Sequence, residues 1–290
     1  MTARVLVTGL RGFTGTYLGR ELTAAGYEVC DLVADDGRHV DITDREAVSR
    51  AVLHQKPQMI VHLAAIASVG HGDPNGFYEV NLIGSRNLLE AAHQLVPQVE
   101  LVVLASSANI YGNRTAGSLD EDSVPDPMND YAVSKLAMEQ MAALWHDRLP
   151  IVVTRPFNYT GKGQSEHFVV PKIVRHFRER APRISLGNLD VGRDFSDVRA
   201  VAQAYRGLLE AKPTGRVVNI CSGNCYELRE VLALAEAVSG HHLEVDVDPR
   251  LARPREVAQL YGNPARLRDI LPQWQPIPFE ETLRWMLEAE

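Results

Sequence analysis

A tyrosine and a lysine stand four residues apart in Tyr131-Ala-Val-Ser-Lys135. On a helix that spacing is one turn, so both side chains address the same space. A phenol with a pKa near 10 is a poor acid or base at neutral pH, and an ammonium one turn away stabilises the phenolate and draws it toward the working range. Such pairs are common on solvated helices; two neighbouring features give this one weight. Ser106-Ser107 directly follows the apolar run Leu101 to Ala105, and Arg155-Pro156-Phe157-Asn158 closes the next β-rich run. Parallel-sheet proteins place reactive groups at the carboxyl ends of strands, where a serine hydroxyl holds a sugar hydroxyl or ketone beside the phenol. The second segment is expected to bring an amide and a ring to the same crevice.

A second constellation lies at the start of the chain. Gly9, Gly12 and Gly15 fall in VLVTGLRGFTG, after an apolar run and at the opening of a helical pattern. Glycines in that context turn the chain tightly, admit a pyrophosphate close to backbone N–H groups and seat it on a helix N-terminus. The spacing GxxGxxG is one residue wider in its first gap than the commonest dinucleotide fingerprint. An acidic residue about 20 positions on binds the adenosine ribose, whereas an arginine accommodates a 2′-phosphate. Asp31, Asp35 and Asp36 compete with Arg11 and Arg38 for that role, which leaves NADH against NADPH open. Asp41 either faces the adenine or caps the following helix.

The elements that must position these groups alternate. Strand-like runs Arg4 to Thr8, Tyr27 to Val33, Met59 to Leu63, Val99 to Ala105 and Ile151 to Arg155 take turns with helical patterns. The latter cover Thr14 to Ala25, Asp44 to His54, Gly76 to Leu95 and Tyr131 to His146. That rhythm predicts an α/β fold with a Rossmann-type doubly wound parallel sheet, its strands covered on both faces because they are apolar without alternation. After Arg155 the pattern loosens into helices near Phe168 to Arg180, Val198 to Glu210 and Leu228 to Ser239, a short strand near Leu243 to Val247 and a final helix Phe279 to Glu290. Residues 1–160 are expected to form the dinucleotide-binding domain and 161–290 most of a smaller, interleaved α/β substrate domain, with the strand near 216–221 returning to the first sheet.

Composition narrows the partners. Thirty Lys plus Arg against 37 Asp plus Glu leave a net charge of −7, which removes the electrostatic basis for non-specific nucleic-acid binding. Cys30, Cys221 and Cys225 form no disulfide framework and no zinc spacing, so they are read as idle thiols in a reducing compartment and no metal is expected. No apolar stretch reaches the roughly 18 residues of a membrane span, and the N-terminus lacks a cleavage site, so a cytoplasmic protein is expected. His71 and His167 have no carboxylate partner at a readable spacing and are read as loop residues.

With TGLRGFTG, HLAA at 62–65, SSANIYG at 106–112, YAVSK at 131–135 and RPFN at 155–158 in this order, the chain resembles the extended short-chain dehydrogenase/reductases over essentially its whole length. The resemblance implies a nucleotide-sugar substrate and a nicotinamide cofactor. It assigns Ser107, Tyr131 and Lys135 as the catalytic triad, with Lys135 also holding the nicotinamide ribose. It extends the cofactor site to Gly9, Arg11, Gly12, Phe13, Thr14, Gly15, Asp41, Ile42, Leu63, Ala64, Ala65 and Pro156. Relatives that eliminate water from the sugar resemble it but carry an acidic pair after the catalytic Ser/Thr, as base and acid; here those positions are Ala108 and Asn109. Hydride transfer or a transient-ketone epimerisation remains.

Gly187-Asn188-Leu189-Asp190-Val191-Gly192-Arg193-Asp194 and Arg253-Pro254-Arg255-Glu256 are similar to segments of the members acting on GDP-mannose derivatives. The implied partner is a GDP-linked 4-keto-6-deoxy sugar, reduced at C4 by NADH or NADPH. Arg193, Arg253 and Glu256 would meet its nucleotide, Lys172 a phosphate, and Ser68, Ser107, Asn109, Tyr131 and Asn158 the hexose; independently, the arginines suit bidentate phosphate or ribose contacts. A nucleotide-sugar 4-epimerase with tightly bound NAD is the enzymatic rival, and a non-catalytic dinucleotide-sensing regulator the rival of another class. The apolar Leu136, Met138, Met141, Leu144 and Trp145 exceed one helix face, which implies a homodimer through a four-helix interface.

Overall fold

The computed structural model describes residues 2–67, 73–113, 117–251 and 257–288. The chain opens with β1 (Arg4–Thr8), α1 (Phe13–Ala24), β2 (Glu28–Cys30), α2 (Arg45–Gln55) and β3 (Met59–His62). It continues through α3 (Pro74–Tyr78), a π-helical stretch Glu79–Gly84 and α4 (Ser85–His93) to β4 (Leu101–Ala105), a 3-10 turn Ala108–Tyr111, α5 (Asp130–Ala143) and β5 (Ile151–Pro156). The second half holds β6 (Asn158–Thr160), α6 (Val169–Arg178), β7 (Arg183–Leu186), β8 (Gly192–Arg193), β9 (Phe195–Asp197), α7 (Val198–Ala211) and β10 (Val217–Ile220). It closes with β11 (Tyr226–Glu227), α8 (Leu228–Ser239), β12 (Glu244–Val247), β13 (Gln259–Leu260), α9 (Ala265–Ile270) and α10 (Phe279–Leu287).

Six strands form one sheet in the order β10-β5-β4-β3-β1-β2, and all its pairings are parallel. Side chains alternate across a strand, so each strand feeds two cores. Val5, Val7, Val61 and Val103 pack with Leu18 and Leu22 of α1 and Leu208 of α7 on one face. Leu6, Ile60, Val102 and Leu104 pack with Val52 of α2, Leu88 of α4 and Met138 of α5 on the other. Continuous apolar runs are the signature of a doubly covered sheet, and the α/β expectation holds. β1 connects to β2 on one side and the chain then crosses to β3 on the other, so the strand order reverses at β1. In such sheets ligands bind outside the carboxyl ends of the strands at that reversal. The glycine loop, Leu63–Ala65 and Ser106–Ser107 all leave from there.

Three readings are corrected. The helix expected from Gly76 to Leu95 is interrupted by the π-helical stretch, and the one expected from Tyr131 to His146 ends at Ala143. Asp41 does not cap α2: Asp44 does, accepting from the Ala47 N–H at 3.0 Å, while Asp41 accepts from Thr43 N and Oγ1 in its own turn. Met138 lies in the core, with Met141 and Trp145 packed against it, so these three are not surplus surface, whereas Leu144 is exposed. The chain after Ile151–Pro156 contains more strand than its pattern announced, because elements of two to four residues are too short to display a period.

Candidate active site

The glycine loop is shaped by two close approaches. Gly9 has φ +75°, and a Cβ there would sit 3.0 Å from the Ala64 backbone nitrogen. At Gly15 a Cβ would lie 2.1 Å from the Gly9 carbonyl oxygen, so no larger residue fits. Gly12 donates its N–H to that same oxygen at 3.0 Å and precedes α1 without a capping side chain. The first-turn N–H groups of α1 therefore face outward at a positive helix end, as a pyrophosphate requires. Thr14 and Phe13 at the helix start are held by Tyr159: Thr14 Oγ1 is 2.7 Å from its hydroxyl, and the Phe13 ring stacks on it at 6.2 Å.

Behind the loop runs a buried relay that the sequence reading missed. The Ala64 N–H donates to Thr8 Oγ1 at 3.1 Å, and Thr8 Oγ1 lies 2.6 Å from His62 Nδ1. His62 Nε2 lies 2.9 Å from Ser85 Oγ, which donates to the Asn81 carbonyl at 2.6 Å. Because the Ser85 proton is committed, the network assigns the His62 proton to Nε2, leaving Nδ1 to accept from Thr8. Burial, with the nearby Lys135 charge, pushes His62 down to about 3 and keeps it neutral. The relay fixes Leu63–Ala65 against the glycines. HLAA carries part of the family resemblance, but His62 has no periodic or spacing signal of its own.

Ser107 follows β4 and caps the 3-10 turn. Its Oγ accepts from Asn109 N at 3.2 Å and Asn109 Nδ2 at 3.0 Å and hydrogen-bonds the Tyr131 phenol. Ser106 Oγ is buried without a hydrogen-bond partner, so the structure separates two serines that were adjacent alternatives. Tyr131 sits in the first turn of α5, behind the cap that Asn129 provides by accepting from Ala132 N at 2.9 Å. One turn on, Lys135 Nζ donates to the Ala105 carbonyl at 2.7 Å, tying the helix to the strand that carries Ser107. The triad is thus brought together.

The charges depart from expectation. Burial pushes the Tyr131 phenol up to about 12, the Ser107 bond acting in the other direction, instead of Lys135 drawing it down. Burial also lowers Lys135 to about 8, with Glu139 one turn further opposing. The phenol is therefore a proton donor held neutral, and the lysine changes charge just above neutrality. Glu139 is itself fixed by Arg155 at 2.7 Å, and Arg155 Nη1 donates to Tyr111 Oη and the Glu121 carbonyl, both at 3.0 Å. Asn81, in the π-helical stretch, accepts from Ile66 N at 3.0 Å and donates to Ser134 Oγ of α5 at 3.0 Å. Sequence pattern does not reveal a π turn, so Asn81 was missed.

Other expected residues are placed differently. Phe157 is buried against Tyr111, not turned to a crevice, whereas Asn158 opens β6 half-buried and Pro156 ends β5. Ile42 is buried, and a Cβ on Gly84 would lie 2.7 Å from it; Asp41 is exposed. Lys172 Nζ donates to the Ser185 carbonyl at 2.6 Å, and Arg193 Nη1 to the Gly192 carbonyl at 2.7 Å. Asp194, fully buried, accepts from Ser222 N at 2.9 Å and Gly223 N at 2.8 Å and so pins β8 and β9 beneath the turn that follows β10. Ser68, His71, Arg253 and Glu256 lie outside the described residues. Burial raises all three cysteine thiols, Cys30 to about 11, and keeps them protonated. Among the described residues no cluster of His, Cys, Asp and Glu suits a metal, and no helix is long and apolar enough to cross a membrane.

Residues 5–221 match the model of the NAD dependent epimerase/dehydratase family. The chain is 34% identical to the GDP-6-deoxy-D-talose 4-dehydrogenase of Aggregatibacter actinomycetemcomitans, over 92% of this chain and 91% of that one. It is also 34% identical to the GDP-6-deoxy-D-mannose reductase of Pseudomonas aeruginosa, over 99% and 97%. Among solved structures, a Burkholderia cenocepacia protein described provisionally as an epimerase superposes with a TM-score of 0.92 at 50% identity, covering 98% of this chain and 97% of that one. RMD from Pseudomonas aeruginosa, complexed with NADPH, superposes with a TM-score of 0.87 at 34% identity, covering 99% and 97%.

Proposed function

The chain belongs to the NAD dependent epimerase/dehydratase family, and from that premise we propose that it is an NAD(P)H-dependent oxidoreductase reducing the C4 ketone of GDP-4-keto-6-deoxy-D-mannose. The product is GDP-D-rhamnose, or GDP-6-deoxy-D-talose when the opposite face of the ketone meets the cofactor. The observation that carries the reading is the buried Ser107–Tyr131–Lys135 arrangement at the end of β4, followed by Ala108 and Asn109, where dehydration would need carboxylates. Asn109 is occupied with Ser107 Oγ, which it orients.

The residues at the carboxyl edge fit a nicotinamide dinucleotide. The glycine loop and the uncapped start of α1 would hold its pyrophosphate, and Lys135 its nicotinamide ribose. When bound, the cofactor supplies the hydride that reaches C4. Tyr131 gives its phenolic proton to the C4 oxygen as negative charge develops there, and a phenol held neutral by burial has that proton to give at any ordinary pH. Ser107 Oγ positions the same oxygen within reach of the phenol. Lys135, anchored on the Ala105 carbonyl, holds the helix that carries Tyr131 against the strand that leads to Ser107. Arg193 would meet the diphosphate.

The test is consumption of NADH or NADPH by the purified protein, followed by absorbance. Oxidation is expected only with the 4-keto-6-deoxy sugar; turnover of GDP-mannose itself would overturn the assignment. An epimerase would retain its NAD through purification and leave added NADH unconsumed, so the same assay separates that rival. The intact buried triad argues against a non-catalytic sensor. A cytoplasmic homodimer completes the proposal. Exposed Ile83 (44%), Val133 (38%) and Leu144 (77%) lie along the π-helical stretch and the α5 region, and light scattering is expected to give the mass of two chains.

A further inference from the structure

We propose that Glu139 is a positioning residue for the reduction: its carboxylate, locked by Arg155, holds Lys135 as a cation where the nicotinamide ribose is to be met. The inference rests on the dinucleotide reading above and deepens it. A lysine taken out of water tends to give up its proton, and Lys135 is only 4% exposed. Its Nζ donates to the Ala105 carbonyl of β4, a neutral acceptor that supplies no counter-charge. The groups packed around it were asked for one in turn. Tyr131, one turn back on α5, is a neutral phenol, and His62 of β3 is neutral and feels the lysine's charge. Asn81 of the π-helical stretch and Ser134 of α5 bond each other. Arg155 of β5 is a second cation. The Glu139 carboxylate, one turn on along α5, is the group that opposes the proton loss burial promotes.

A free buried carboxylate would take up a proton itself and lose that effect. Arg155, charged at every ordinary pH, prevents this by spanning both oxygens: Nε donates to Oε1 at 3.0 Å and Nη2 to Oε2 at 2.7 Å. Both side chains are more than nine-tenths buried. The fork cannot turn away, because Nη1 is held by Tyr111 and the Glu121 carbonyl, and Tyr111 donates in turn to Asn219 of β10 at 2.7 Å. The Glu121 carboxylate is committed elsewhere, to Asn219 N and Arg266. A matched apolar pair often stabilises a core as well as a buried ion pair does. What it does not supply is a negative charge beside Lys135, and that is the function assigned to Glu139.

The chain has five lysines, Lys56, Lys135, Lys162, Lys172 and Lys212, so NMR of the purified full chain carrying carbon-13 lysine follows each ionisation separately. Lys135→Arg identifies the Lys135 signal, whose wild-type midpoint is expected at about 8. Glu139→Gln removes the charge at nearly constant shape, and the midpoint is expected to fall by about one pH unit. Arg155→Lys keeps the charge and breaks the fork, and the midpoint is expected to move by less than about 0.3 unit. A purely structural pair would make the two variants behave alike. An unmoved midpoint in Glu139→Gln, or an equal shift in both variants, overturns the proposal. If Glu139→Gln does not fold, the double variant Glu139→Gln/Arg155→Met, which removes both charges at similar volume, decides instead: a lowered midpoint supports the assignment and an unmoved one overturns it. A lowered midpoint in a protein that leaves the ketosugar unreduced would support Glu139 and overturn the reductase reading. Reduction of the ketosugar with an unmoved midpoint would do the reverse.

Discussion

At the carboxyl end of β4 the groups proposed to react are buried and tied to regular elements: Ser107 to Asn109 and Tyr131, and Lys135 to the Ala105 carbonyl. The side chains proposed to meet the nucleotide are less enclosed. Arg193 stands half-buried on a two-residue strand with its guanidinium against backbone carbonyls, and Lys172 reaches Ser185 from α6. The difference follows from the tasks. Proton and hydride transfer tolerate little displacement, so their groups are fixed before substrate arrives. The proposed grip on a long, charged nucleotide needs reach more than fixity, which the long side chains of Arg193 and Lys172 would provide.

The sharpest way to break that comparison is Tyr131→Phe, which deletes one hydroxyl and keeps the ring. If the β4 region is devoted to chemistry, kcat falls by about 10²–10⁴-fold while dinucleotide and GDP-sugar affinities, read by titration, stay within about threefold. Loss of binding with little change in kcat would merge the two regions. Arg193→Ala is the converse. A charge-assisted contact is worth roughly 1.5–3 kcal/mol, so GDP-sugar affinity should weaken about ten- to a hundredfold with kcat nearly preserved. Unchanged affinity would remove Arg193 from the nucleotide grip. Circular dichroism of both variants secures the fold.

A smaller effect sharpens the electrostatics. Lys135 is lowered to about 8 by burial, so its charge is present below that pH and lost above it, whereas Tyr131, near 12, stays protonated throughout. The kcat/KM for the dinucleotide is therefore expected to be flat below pH 8 and to fall over the next two units. A limb that persists unshifted in Lys135→Arg would belong to another group.

The same contrast explains what was legible. Strands β1, β3, β4 and β5 announced themselves because burial on both faces writes uninterrupted apolar runs, and the triad because one helical turn and one strand end have fixed spacings. Capping by Asp41 stays open in the sequence because Asp41 and Asp44 both precede α2 with side chains suited to a turn, and only coordinates show that Asp44 reaches Ala47. His62 and Asn81 were invisible for a stronger reason: each acts through partners 15 to 54 positions away, joined by sheet register and a π turn. The short strands β6 to β9 draw their order from pairing across the chain, not from local pattern.

The central claim, net reduction at C4, is tested most directly by following the hydride. With NADH or NADPH carrying deuterium on the transferred face and the GDP-linked 4-keto-6-deoxy sugar as acceptor, the account predicts one deuterium at C4 of the product for each cofactor oxidised, read by NMR and mass spectrometry. Product free of deuterium, formed while the added cofactor stays reduced, would contradict it.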